Sequence, residues 1–163
     1  MVLHELLGLP EREKHVVSLC GGGGKTTLMY ALARETKALV PTALFTTTHI
    51  MPPSDADVVL SVPFSEEACC TSWREGKIAS SGTFLSEERK FGAPEEETMC
   101  FLCREASAVI IEADGARRLP VKFPAAWEPV IRPKTTHTVV VAGLSALGKK
   151  PEEIVQRYAL TKE

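Results

Sequence analysis

No stretch of this 163-residue chain is apolar for long. The longest runs, AVII at 108–111 and TVVVAGL at 138–144, fall well short of the roughly 20 residues that span a bilayer. No membrane partner is therefore expected. The opening MVLHELLGLPEREKH has no basic patch leading into a long apolar stretch. It does not read as a signal peptide, and the chain is expected in the cytoplasm. Neither sign of charge dominates: 19 Lys and Arg face 21 Asp and Glu, a net of -2. That excludes a nucleic-acid binder working by bulk electrostatics. Five cysteines, an odd number, are scattered at 20, 69, 70, 100 and 103, so no disulfide framework is implied. Internal repeats, low-complexity tracts and linkers are absent, and one domain is expected over residues 1–163. At 44% hydrophobic and 25% charged, the chain is an ordinary globular protein with material for a core.

Against those absences stands SLCGGGGKTT at 18–27. Before it, HVVSLC (15–20) is a short β-rich apolar run that reads as a buried strand. After it, Leu28, Ala31, Leu32 and Glu35 fall on helical spacing among good helix formers. The glycines thus join a strand to a helix. Further strands are predicted at 41–49, 57–62, 107–115 and 136–144, with an edge strand at 77–84. Helices are predicted at 65–76, where Ser65 and Gly76 suit the two ends, at 94–106, and as a closing helix at 151–163. Residues 85–93 read as exposed, and 116–134, rich in Pro and base, as an ordered loop. Alternating strands and helices predict an α/β fold, a mainly parallel sheet flanked by helices in a Rossmann-like three-layer sandwich.

A phosphate-binding loop needs three things. Glycines let backbone N–H groups converge on oxygens. A helix start favours anions. A lysine reaches the terminal phosphates, and the hydroxyl beside it holds Mg²⁺. Gly21, Gly22, Gly23, Gly24, Lys25 and Thr26, with Thr27 following, supply all three. The motif G-x-x-x-x-G-K-[ST] wants glycine at 19, where this chain has Leu19; Gly21 can take over the turn. The bland alternative is a flexible turn with a surface lysine.

Such a loop calls for an acidic site at the end of a neighbouring apolar strand, and AVIIEADG fits. Alternation puts Glu112 and Asp114 on one side. Asp114 is the expected Mg²⁺ ligand, with Thr26, and Glu112 a second acid to position or activate water. A loop-capping role for either stays open. TTTH at 46–49 ends another strand, where ligands of doubly wound sheets sit, so Thr46, Thr47, Thr48 and His49 are candidates for the phosphate and metal. Arg117, Arg118 and Lys122 follow the carboxylates and suit a transferring phosphate or an anionic substrate, or simply a solvated loop. Cys69, Cys70, Cys100 and Cys103 offer four thiols for Zn²⁺, although cysteines three apart on a helix also serve as small core residues.

Taken together, CGGGGKTTLMYALA, TTTHI followed by prolines, IIEADGARRLPVKFPAAWEPVI and VVVAGLSALGKKPEEIVQR resemble the YqeC family, accessory proteins of selenium-dependent molybdenum hydroxylases. The resemblance follows one order along nearly the whole chain. It implies a P-loop NTPase whose loop also lacks the outer glycine. Carried over, Gly21, Gly23, Gly24, Lys25 and Thr26 would bind phosphate and Mg²⁺. Glu112, Asp114, Gly115, Arg117 and Lys122 fall in the acidic motif, and Glu128 and Arg157 match positions without an assigned role. Relatives of this kind run on to an Asn-Lys-x-Asp-like base-recognition motif. This sequence stops at Glu163 without one, as a fragment or a short version would, and the base is unassigned. The expectation is an Mg²⁺-dependent nucleoside triphosphatase, for ATP or GTP, serving a molybdenum hydroxylase. A small-molecule kinase and a non-enzymatic thiol metal carrier or interaction module are the competing readings.

Overall fold

The computed structural model describes residues 3–9, 13–85 and 90–162. A one-turn helix α1 (Leu3–Leu6) precedes β1 (His15–Gly21), the glycine loop and α2 (Lys25–Thr36). Then come β2 (Thr42–Thr46), β3 (Val58–Leu60), α3 (Glu66–Arg74) and β4 (Ile78–Ser80). A small antiparallel ribbon, β5 (Thr83–Leu85) with β6 (Lys90–Gly92), leads to α4 (Glu96–Glu105) and β7 (Ala108–Glu112). The rest is β8 (Val121–Lys122), β9 (His137–Val141), the single turn α5 (Pro151–Ile154) and β10 (Val155–Gln156). A 3-10 segment, Tyr158–Lys162, follows.

Six strands form one parallel sheet in the order β3-β4-β2-β7-β1-β9. Side chains alternate across it, and the two faces make two cores. Val16, Ala43, Phe45, Val109 and Ile111 meet Cys69 of α3 and Phe101, Leu102 and Cys103 of α4. Val17, Leu19, Leu44 and Ile110 meet Met29, Leu32 and Ala33 of α2. This is the expected α/β three-layer arrangement. Both faces are covered, which is why the central strands read as continuous apolar runs. Register sets the site: Leu19, Thr46 and Glu112 stand side by side at the C-terminal ends of β1, β2 and β7.

Ser65 caps α3 by accepting a hydrogen bond from Ala68 N at 3.3 Å, as its sequence position predicts. Three expectations need correction. KIASSGTF is no edge strand: Ile78–Ser80 lies inside the sheet between β3 and β2, and Thr83–Leu85 belongs to the ribbon. Just past β4, the Ser81 hydroxyl is buried and donates to Ser61 O at 2.8 Å. Residues 85–93 are not uniformly exposed, since Phe91 is 1% exposed and pairs through its backbone with Ile50; residues 86–89 lie outside the described set. The closing helix stops after one turn, and Val155–Gln156 instead runs parallel to Val121–Lys122. Among the described residues no helix is long and apolar enough to cross a membrane.

Candidate active site

The glycine loop leaves β1 and enters α2 at the carboxyl end of the sheet, where ligands of open α/β sheets sit. Gly21 N donates to Asp114 Oδ2 at 3.0 Å and Gly22 N to Val141 O at 2.8 Å. The first two glycines are thus anchored by protein. The N–H groups that follow belong to the helix start, which has no intrahelical acceptors for them. Gly22 lies so close to residues 119–121 that a Cβ there would sit 2.7 Å from Pro120 C. The basic segment after β7 is therefore packed on the back of the loop, a contact the sequence does not announce.

Lys25 is 4% exposed. Its Nζ donates to Gly21 O at 2.6 Å and stands 3.2 Å from Asp114 Oδ1, an ion pair without hydrogen-bond alignment. Asp114, also buried, has a second cation: Lys122 Nζ at 3.1 Å from Oδ2. Lys122 in turn donates to Gly115 O at 2.8 Å and to Glu128 Oε2 at 2.6 Å. Glu128 closes the chain by pairing with Arg157, whose guanidinium lies 5.5 Å from the centroid of the Trp127 ring. Burial alone would push the Glu128 carboxyl up, but the hydrogen bonds from Lys122 and Arg157 outweigh it and hold it below the usual range. Lys122 is thus neither solvated nor open to substrate; its side chain is 1% exposed.

Glu112 sits apart from this network. Thr26 Oγ1 donates to its Oε2 at 2.7 Å. Burial pushes the Glu112 carboxyl up, opposed by the Thr26 hydrogen bond and the Lys25 charge. The threonines divide. Thr46 Oγ1 donates to Glu112 O at 3.0 Å and accepts from Thr48 N at 3.0 Å. Thr47 Oγ1 reaches Val130 O at 3.4 Å, away from the cleft. Thr48 and His49 line the cleft.

That cleft encloses about 770 Å³, in the range of small-molecule sites. It is lined by Gly23, Gly24, Lys25, Thr26 and Thr27, by Glu112 and Thr48, and by Arg117, Arg118 and Arg157. Lys25, Lys90, Arg117, Arg118 and Arg157 line it against Glu112 and Glu128, an excess of positive charge. Sequence reasoning missed Gln156 and gave Arg157 no role; both enter the wall because β10 docks on β8. Both fall inside the stretch predicted as the closing helix, so no local signal pointed to them. Gly21, Gly22, Thr47 and Lys122 stand behind the wall or off to its side.

The donor set suits Mg²⁺, a hard cation held by one or two carboxylates plus phosphate oxygens. Thr26 and Glu112 form such a pair at the foot of the cleft. Asp114, expected as the metal ligand, instead faces two lysines. The cysteines offer no comparable set: Cys69 and Cys103 are core residues, the Cys69 thiol pushed up to about 11 by burial. Among the described residues no three His, Cys, Asp or Glu side chains converge on a metal position.

The family model described as "YqeC protein" matches residues 17–159. The Escherichia coli (strain K12) protein titled "Uncharacterized protein YqeC" is 31% identical over 166 residues, 91% of this chain and 60% of the relative. The chain therefore spans 60% of the length of the curated relative it matches. No solved structure matches. With the glycine loop, both carboxylates and the basic segment all inside the matched span, the chain belongs to the YqeC family.

Proposed function

We propose that this protein binds a Mg²⁺–nucleoside triphosphate at residues 23–27 and hydrolyses it. One observation carries the reading: Lys25 and Thr26 begin a helix directly after a glycine loop, and Thr26 bonds a buried carboxylate at the end of the adjacent parallel strand. The N–H groups at the helix start bind phosphate oxygens, and the helix dipole favours their charge. Lys25 exchanges Gly21 O and Asp114 for the terminal phosphates. Thr26 and Glu112 would hold Mg²⁺, which when bound offsets charge building up on the phosphates. Thr48, across the cleft, orients the attacking water by hydrogen bonding. Asp114 acts through Lys25, setting its position before the nucleotide arrives. In keeping with the family resemblance, the hydrolytic cycle would drive a step in maturing a molybdenum hydroxylase.

The test is a binding panel of ATP, GTP and CTP with and without Mg²⁺, on wild type and Lys25→Ala. The reading expects one triphosphate to bind only with Mg²⁺ and its affinity to fall at least about tenfold in Lys25→Ala. Equal affinity in the variant sinks it.

A further inference from the structure

The cleft that holds the loop is also lined by a second group of residues with its own chemistry. Gln156 lines the cleft at 7% exposure, and its Oε1 accepts no hydrogen bond from any described residue. A buried acceptor without a donor is a cost that folded proteins seldom carry. An N–H or O–H from a ligand would remove it. Next to it in sequence, Arg157 is fixed by Glu128 and by the Trp127 ring, while its Nη1 is buried without a partner. Arg117 and Arg118 line the same cleft, both exposed, and neither has a counter-ion among the described residues. All three arginines hold positive φ, at 47°, 63° and 63°, a conformation that side chains other than Gly, Asn and Asp rarely adopt.

These groups differ from those that anchor the loop. Lys25 has its own partners in Gly21 and Asp114, and Thr26 in Glu112. Two unneutralised guanidinium groups match a phosphate monoester dianion in charge. The forked N–H donors of arginine match its oxygens in geometry. Gln156 adds the demand for a donor beside that phosphate.

We propose that Arg117, Arg118, Arg157 and Gln156 form a second subsite of the cleft, in addition to the loop, for a phosphate monoester carrying a hydroxyl or amine close to its phosphate. The proposal rests on the triphosphate reading only in taking the loop as reserved for another ligand. The arginines supply the charge, and Gln156 selects the ester over bare phosphate.

The probe is ribose 5-phosphate, titrated by calorimetry into the full chain with the loop filled by Mg²⁺ and a non-hydrolysable triphosphate analogue, and again with the loop empty. Ribose and inorganic phosphate are the controls. Ribose 5-phosphate should bind in both states, more tightly than inorganic phosphate, and ribose should not bind. The paired variant Arg117→Lys and Arg118→Lys, which keeps charge but loses the forks, should weaken the ester about tenfold. Gln156→Leu should reduce the ester to the level of inorganic phosphate. If that variant fails to fold, Gln156→Glu, which sets a carboxylate against the phosphate, should abolish ester binding. The proposal is overturned if the ester competes with the triphosphate analogue, if it does not bind, or if the arginine variant weakens the triphosphate instead. Arginine-dependent ester binding in a protein that takes no triphosphate would uphold the subsite and sink the loop reading.

Discussion

Replacing Gly22 by alanine isolates the contact between the loop and the basic segment. Gly22 needs no positive φ, so its lack of a side chain matters only for space. The added Cβ would stand 2.7 Å from Pro120 C and Val121 N and 2.8 Å from Leu119 O. Ordinary contact begins at 3.4 Å, so backbone at 119–121 must retreat by 3.4 − 2.7 = 0.7 Å or the loop must shift. Neither moves freely. Gly143 N donates to Pro120 O at 2.7 Å, Leu119 N to Ala116 O at 2.8 Å, and Val121 is paired with Val155. Overpacking of this kind costs about 1–3 kcal/mol. At roughly 2–4 °C per kcal/mol for a domain of this size, Tm should fall by about 4–8 °C for a mid-range cost. Gly24→Ala is the matched control. Gly24 has φ +108° and nothing within 4 Å of a Cβ, so it should cost about 1–2 kcal/mol through backbone strain alone. Hydrogen exchange separates the two: Gly22→Ala should speed exchange at the Leu119 and Gly143 amides, and Gly24→Ala should not. A Gly22→Ala protein with unchanged Tm and unchanged exchange at those amides would refute the claim that the segment is packed on the loop.

Three further outcomes follow from the charge chain and the core. The Glu128 carboxyl titrates below its ordinary range, so its contribution is fully present above the unfolded-state value and is lost as pH falls through the folded one. Glu128→Gln should therefore cost about 1–3 kcal/mol at neutral pH and flatten the acid limb of stability against pH, measured by urea unfolding. Trp127→Ala removes the ring under Arg157 and should cost about 0.5–2 kcal/mol, with Trp127→Phe recovering part of it in the same assay. Leu32→Ala, at a fully buried position in the α2 core, should cost about 2–5 kcal/mol and leave triphosphate affinity nearly unchanged once the protein is folded.

The parts of the fold that are local in sequence were legible. HVVSLC, the glycines and KTTLMYALARET state a strand, a loop and a helix because apolar period, turn residues and helix formers agree. The parts that depend on distant partners were not. PEEIVQRYALTKE has a helix's composition, yet only PEEI is α-helical. Val155 and Gln156 are drawn out by pairing with Val121 and Lys122, and Arg157 by Glu128 and Trp127. These are contacts across about thirty residues that no local propensity can register. KIASSGTF misled in the same way, since β4 is flanked by β3 and β2, partners that lie outside its own stretch of sequence. For the site, alternation brought Glu112 and Asp114 to one side but could not divide their labour. That depended on Lys122, ten residues past the end of β7, which pairs with Asp114.

The division of labour has opposite consequences for stability, which makes it decidable. Asp114 lies between Lys25 and Lys122, all three nearly inaccessible. Removing its charge leaves two buried ammonium groups with Glu128 alone, and uncompensated burial of this kind costs about 3–5 kcal/mol. Asp114→Asn should therefore unfold at much lower urea, while the Mg²⁺ dependence of any residual triphosphate binding survives. Glu112 is the reverse. Burial raises its pKa, so its ionised form is disfavoured in the fold, and the penalty grows as pH rises from the unfolded value through the folded one. Glu112→Gln removes that penalty, keeps an acceptor for Thr26, and should leave stability at neutral pH unchanged or slightly higher. If Glu112 is the metal ligand, the same substitution should abolish the gain in triphosphate affinity that Mg²⁺ confers. Loss of Mg²⁺ dependence in Asp114→Asn, with Glu112→Gln behaving as wild type, would return the metal to Asp114 and overturn the assignment.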